Sequence, residues 1–337
     1  MAERALPERA PPAAALSGGA MAPAGPGLRL VLLLAVFLLA AAGFMLLAPR
    51  GAWSFLIPFR AERLAALTLI GATIGVATVL FQTVAGNRIL TPSVMGFDAL
   101  YGLFQTGLVF LLGGIGYVTL DPRLKFLAET GVMIAVALAL LGLLLGRGRH
   151  DLHRMLLVGL IFGVFFRSLS GLMQRMMDPN AFAVVQGASF ASFNRVNSDL
   201  LAITAGVSLL ALAGAWRMRH ALDVVALGRP VAIGLGVDHD RTCRRALALV
   251  AVLVSAATAL VGPVAFFGLL VACLAHAALR APYHAALLPA AALIGATVLV
   301  AGQTLFERYL GLQATLSVVI EFIGGLLFLT LLLRRRA

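Results

Sequence analysis

Leu227-Gly228-Arg229-Pro230-Val231-Ala232-Ile233-Gly234-Leu235-Gly236-Val237 sits between two long apolar runs and is flanked by basic residues. It is far too short to cross a bilayer, which takes about 20 apolar residues in a helix. Its glycines and polar flanks place it at or beyond a membrane surface, within reach of a soluble partner. Its meaning depends on its surroundings, and those are apolar on both sides.

The chain has 337 residues, of which 61% are hydrophobic and 12% charged, and its mean hydropathy is +1.00. A soluble domain carries about 25% charged residues. The charges that remain are gathered in short islands between apolar runs, so the sequence predicts an all-α polytopic membrane protein. Counting those runs gives ten spans: 28–47, 61–85, 94–114, 124–145, 152–174, 198–217, 242–261, 264–280, 285–306 and 315–333. The eighth is short and follows Gly262-Pro263, which predicts a tilted or broken helix. Residues 1–27, rich in Ala, Pro and Gly, read as a disordered tail.

A net charge of +12 does not point to nucleic acid, because the basic residues are spread over the islands. With both termini cytoplasmic, seventeen of the 26 Lys and Arg fall on the inner side, eight outside and Arg167 within a span. That is the positive-inside bias, and it places island 218–241 in the cytoplasm. Cys243 and Cys273 lie far apart with no metal-ligand spacing, so neither a bound metal nor a cofactor is expected. No GxxxxGK[ST] motif occurs, and no island is long enough to hold a nucleotide-binding domain. If ATP drives this protein, another chain binds it.

Five ordered blocks then carry a resemblance. They are Arg60-Ala61-Glu62-Arg63 leading to Gly71-Ala72 and Phe81-Gln82; Asn87 through Pro92 to Gly96; Leu227-Gly228 through Val237; Gly262-Pro263-Val264-Ala265-Phe266-Phe267-Gly268-Leu269; and Gly302-Gln303 through Arg308 to Ile323-Gly324-Gly325. Over residues 28–335 the chain resembles the permease subunits of iron–siderophore and cobalamin ABC importers. The resemblance implies a ten-helix permease of the cobalamin-importer type, working as a dimer of permease subunits in the bacterial inner membrane. Its implied partners are ABC ATPase subunits, a second permease subunit and a periplasmic substrate-binding protein, with ferric siderophore as cargo. The chain itself would be no enzyme. Gly228-Arg229, where Gly-Glu is common, and Ala272-Cys273, where Pro-His is common, resemble an iron–siderophore subgroup that often forms heterodimers. Both departures point away from homodimerisation and from cobalamin.

The resemblance also implies residue roles. Leu227, Gly228, Arg229, Ala232, Leu235, Gly236 and Val237 would form the cytoplasmic segment that docks on the ATPase, with Arg229 meeting an acidic patch. Arg60, Arg63 and Arg308 would receive carboxylates of the binding protein, a task suited to a planar, permanently charged guanidinium; for Arg60 and Arg63 the plainer alternative is snorkelling to the interface. Arg167 and Glu321 both lie roughly 9–11 Å below the outer boundary at 1.5 Å per residue. Ionisable residues at such depth face a partner or a wet cavity, and in the resembled fold their helices line the translocation path, so the two either pair along it, within or across subunits, or serve packing alone. Gln82 either lines that path or bonds between helices.

Two other readings remain open on sequence: cobalamin or haem as cargo, and an ion-coupled secondary transporter. The second is disfavoured because the two halves differ and acids are expected to be nearly absent from the spans.

Overall fold

The computed structural model describes residues 25–47, 53–145, 152–189, 191–193, 197–279, 283–307 and 316–334. In chain order the helices are α1 (Pro26–Leu46), α2 (Trp53–Ala85), a 3-10 turn (Pro92–Met95), α3 (Phe97–Thr119), α4 (Pro122–Leu145), α5 (Leu152–Arg175), α6 (Pro179–Ala188), α7 (Ser198–Arg217), α8 (Arg219–Val225), α9 (Arg229–Gly234), α10 (His239–Val261), α11 (Phe267–Leu279), α12 (His284–Leu305) and α13 (Leu316–Arg334). Seven of them, α1, α2, α3, α5, α7, α10 and α12, are apolar enough over sufficient length to cross a membrane.

The centre of the bundle is α2, α10 and α12. Their inward faces are fully buried, as at Leu67, Ile70, Leu80, Leu253 and Leu299. Helices α2 and α12 touch backbone to backbone. A Cβ built on Gly295 would lie 2.7 Å from the carbonyl carbon of Gly71, and one on Gly71 would lie 2.6 Å from the amide nitrogen of Ala296. Only glycine permits that approach, which lets dispersion act between helices that share an apolar solvent with lipid. Four buried hydroxyls are satisfied locally, those of Thr73, Thr78, Thr204 and Thr304 each donating to the carbonyl four residues back. By contrast, α1 and the outer faces of α5, α7 and α13 present Leu, Val, Ile and Phe outward.

Several boundaries depart from expectation, each for a local reason. Helix α2 starts at Trp53, not residue 61, because Trp53–Phe59 continues the apolar character into the helix. Helix α3 runs past 114, but Gly113 leaves the helical region (φ 71°, ψ 168°) and kinks it there. Helix α11 begins three residues late. Gly262 (φ 93°) and Phe266 (φ 57°) hold an irregular loop ahead of it, and Pro263 has no N–H to give a helix. Helix α6 was not anticipated. It starts where the Asp178 carboxylate caps the amides of Asn180 and Ala181 (2.9 Å each) and Pro179 supplies a preset φ.

Candidate functional sites in the bundle

The opening segment folds as a two-helix elbow. Helix α8 follows α7 after a single residue, and Arg219 donates to the Trp216 carbonyl (3.0 Å) while lying over its ring. Leu222 and Val225 anchor α8 in the core. Gly228, at φ 95°, reverses the chain where a side chain would be strained, and Pro230 then helps start α9. Ala232 is buried, and Val237 closes the segment by donating its N–H to the Ala232 carbonyl (2.9 Å). Leu227, Val231, Ile233 and Leu235 point outward, at 60%, 47%, 53% and 61% exposure. Gly236, at φ 78°, makes the exit turn.

Four apolar side chains displayed together outside every apolar span mark a contact surface. Arg229 pairs with Asp240 of α10 (Nη2 to Oδ2, 3.3 Å) across an open interface. An exposed pair of this kind is worth about 0–1 kcal/mol, so a partner's carboxylate can displace it.

Arg60 and Arg63 stand at the opposite end of α2. Arg60 is buried at 6% exposure and donates to the carbonyls of Met45 (2.6 Å) and Leu47 (3.4 Å), tying down the end of α1. Arg63 pairs with Glu307 (2.8 Å) and lies over the Phe59 ring. Glu307 also accepts a hydrogen bond from Gln303 (2.6 Å). The rim is thus an Arg63–Glu307–Gln303 network, and Glu307 is a member that sequence reading passed over. Arg308 lies outside the described residues. Gln82 is buried and donates to the Arg88 carbonyl (2.6 Å), holding the turn after α2.

At mid-depth a cavity of about 360 Å³ opens between α3, α5 and the loop at Pro263, lined by Asp98, Tyr101, Arg167, Ser170 and Gln174 among others. The polar residues recur at helical spacing, 98 and 101 on α3 and 167, 170 and 174 on α5, so each helix turns one polar stripe to the cavity. Arg167 is exposed there. Its nearby opposite charge is Asp98, which is hydrogen-bonded to Ser93. Glu321 accepts a hydrogen bond from the Ala265 amide, beside the strained Phe266, and also lies within electrostatic reach of Asp98.

Among the described residues Arg167 and Glu321 form no ion pair, and α5 and α13 share no extensive packing. Asp98 belongs to the group that sequence reading reduced to two. It occupies the first turn of α3, but Gly96 packs against Gly163 in the middle of α5, so the start of α3 is deep rather than at the surface. A second acid, Glu129, is 1% exposed and accepts from Gln105 (3.1 and 3.2 Å). Tyr117 donates to Gln105 (2.8 Å), and Lys125 donates to Tyr117. The expectation that acids are nearly absent from the spans is therefore corrected: Asp98, Glu129 and Glu321 are all there, and each has polar company.

The described residues form a helical body of membrane-spanning character, with an outward-turned apolar elbow and a polar cavity. The chain belongs to the FecCD transport family, whose model matches residues 28–334. It is 42% identical over 293 residues to the petrobactin import system permease protein YclO of Bacillus subtilis, covering 87% of this chain and 93% of that one. Identity to the petrobactin import system permease protein FatC of Bacillus anthracis is 33%, over 91% and 88% of the two chains. The vitamin B12 import system permease protein BtuC of Vibrio cholerae is 30% identical, over 87% and 88%. The fold matches a solved structure of an inward-facing ABC transporter of the metal-chelate type, with TM-score 0.79 and 19% identity over 91% of this chain and 99% of that one. The protein is a multi-pass inner-membrane permease component of an ABC importer. The family implies an ATPase, a permease partner and a substrate-binding protein.

Proposed function

We propose that this permease imports a ferric siderophore and that the α8–α9 elbow is the seat of its ATPase. The chain crosses the membrane ten times, with α4, α11 and α13 joining the seven helices named above and with both termini and the elbow in the cytoplasm. Two permease subunits, this one and either a copy or a second gene product, enclose the path. Asp98, Arg167 and Glu321 give that path a polar constriction at mid-depth. A loaded binding protein docks over the Arg60–Arg63 rim, and its carboxylates compete with Glu307 for Arg63. Closure of the ATPases pushes the elbow, and the bundle opens inward. The segment before α1 is a cytoplasmic tail.

One observation carries this reading: Leu227, Val231, Ile233 and Leu235 are turned outward together, around a buried Ala232 and between two positive-φ glycines. A chain with no use for a soluble partner has no reason to maintain such a surface. Siderophore as cargo is favoured by the two petrobactin permeases among the relatives and by a guanidinium facing the cavity, which suits an anionic chelate. Uptake of radio-iron-labelled ferric petrobactin in cells lacking the gene tests both parts. The wild-type gene should restore uptake, whereas the Leu227→Asp/Leu235→Asp pair should insert normally and restore none. Full uptake by that double variant would refute the elbow as the ATPase seat. Restoration of cobalamin uptake instead would refute the cargo.

A further inference from the structure

The elbow is fastened to the bundle at a place that no motif or family block marked. Asp223 of α8 accepts two hydrogen bonds at one oxygen, Oδ1: from the backbone N–H of His284 (2.7 Å) and from its ring Nδ1 (2.6 Å). The other ring nitrogen, Nε2, is bonded to Thr83 Oγ1 of α2 at 2.7 Å. The His284 side chain is only 3% exposed, and that of Asp223 is 25% exposed. An imidazole bridging two elements inside a packed core leaves little slack. Helix α8 also packs on α12, α10 and α2, and α12 and α2 are in turn joined at Gly71 and Gly295.

We propose that Asp223, His284 and Thr83 form the transmission link through which movement of the elbow reaches the α2–α12 pair. The link rests on the elbow being the ATPase seat. Asp223 is at once the side-chain cap of α12 and the grip of α8, so displacing α8 draws the first turn of α12 with it. His284 passes that displacement to the last turns of α2. The unit that moves is therefore α8, α12 and α2 together, while α9 presents the contact surface. These are positioning residues; none of them touches cargo or nucleotide.

The test uses the full complex of both permease subunits, ATPase and binding protein in proteoliposomes, reading ferric petrobactin transported per ATP hydrolysed. Asp223→Ala should leave the ATPase bound and hydrolysing, yet lower cargo per ATP by about tenfold, as expected for losing hydrogen bonds to a charged group. Asp223→Asn keeps an oxygen for the His284 amide and should stay much nearer wild type. Thr83→Val, which keeps the side-chain shape, should lower the same ratio in part. A merely structural role would lower the yield of folded complex and leave cargo per ATP unchanged. That result overturns the link, as does detachment of the ATPase from the Asp223→Ala complex alone. If the wild-type complex itself holds no ATPase, the elbow reading fails and the link falls with it; loss of coupling confined to the variants concerns the link alone.

Discussion

At the level of single residues, close backbone contact sets the sharpest limits. Gly295→Ala places a methyl group 2.7 Å from the Gly71 carbonyl carbon, and both partners are backbone, so neither can rotate away. Overpacking of this kind costs about 1–3 kcal/mol. The variant should unfold at a lower temperature in detergent than Gly102→Ala, where no atom lies within 4 Å. Equal melting temperatures would show that α2 and α12 are not joined there. Charge at depth is the other residue-level feature. Asp98→Asn removes the nearby counter-charge of Arg167. Uptake should fall for that variant and recover in Asp98→Arg/Arg167→Asp, measured against both single changes. No recovery would separate Asp98 from Arg167.

Legibility differed between these residues for physical reasons. Gly71 and Gly75 stand at the four-residue spacing that lets membrane helices approach closely, and the structure puts both against α12. Arg167 and Glu321 stood out as isolated charges in apolar runs. Asp98 did not, because its depth depends on Gly96 meeting Gly163, a tertiary contact with no local trace. Glu307 and Asp223 sat in polar islands, where a charge is unremarkable until its partner is known.

Among elements, the long spans were readable because twenty apolar residues admit one solution in lipid. Short elements were harder. Helices α6, α8 and α9 have ten, seven and six residues, too few for periodicity to emerge, and only α6 has a side-chain cap to mark its start. The late start of α11 followed from Gly262-Pro263, but the turn at Phe266 depends on packing beside Gly324. At the outer rim, Arg63 is held by Glu307 before any partner arrives. Glu307→Gln should remove the opposing charge of that pair and tighten binding-protein association several-fold at low salt, with a steeper loss as salt rises. Weaker association in that variant would make Glu307 itself part of the docking surface.

For the whole molecule, the parts form one mechanical sequence. A rigid α2–α10–α12 centre carries a polar cavity on one flank and an apolar elbow at one end, and the elbow is geared to the centre rather than hung from a flexible loop. Binding at the elbow can thus be felt at mid-depth. Placing the elbow on the cytoplasmic side is the step that makes this work. The most direct check is Ile233→Cys in intact cells, exposed to a membrane-impermeant thiol reagent with and without permeabilisation. Labelling only after permeabilisation, and protection when the ATPase is co-expressed, is the predicted result. Labelling of intact cells from outside would contradict it, since no cytoplasmic ATPase could then drive the elbow.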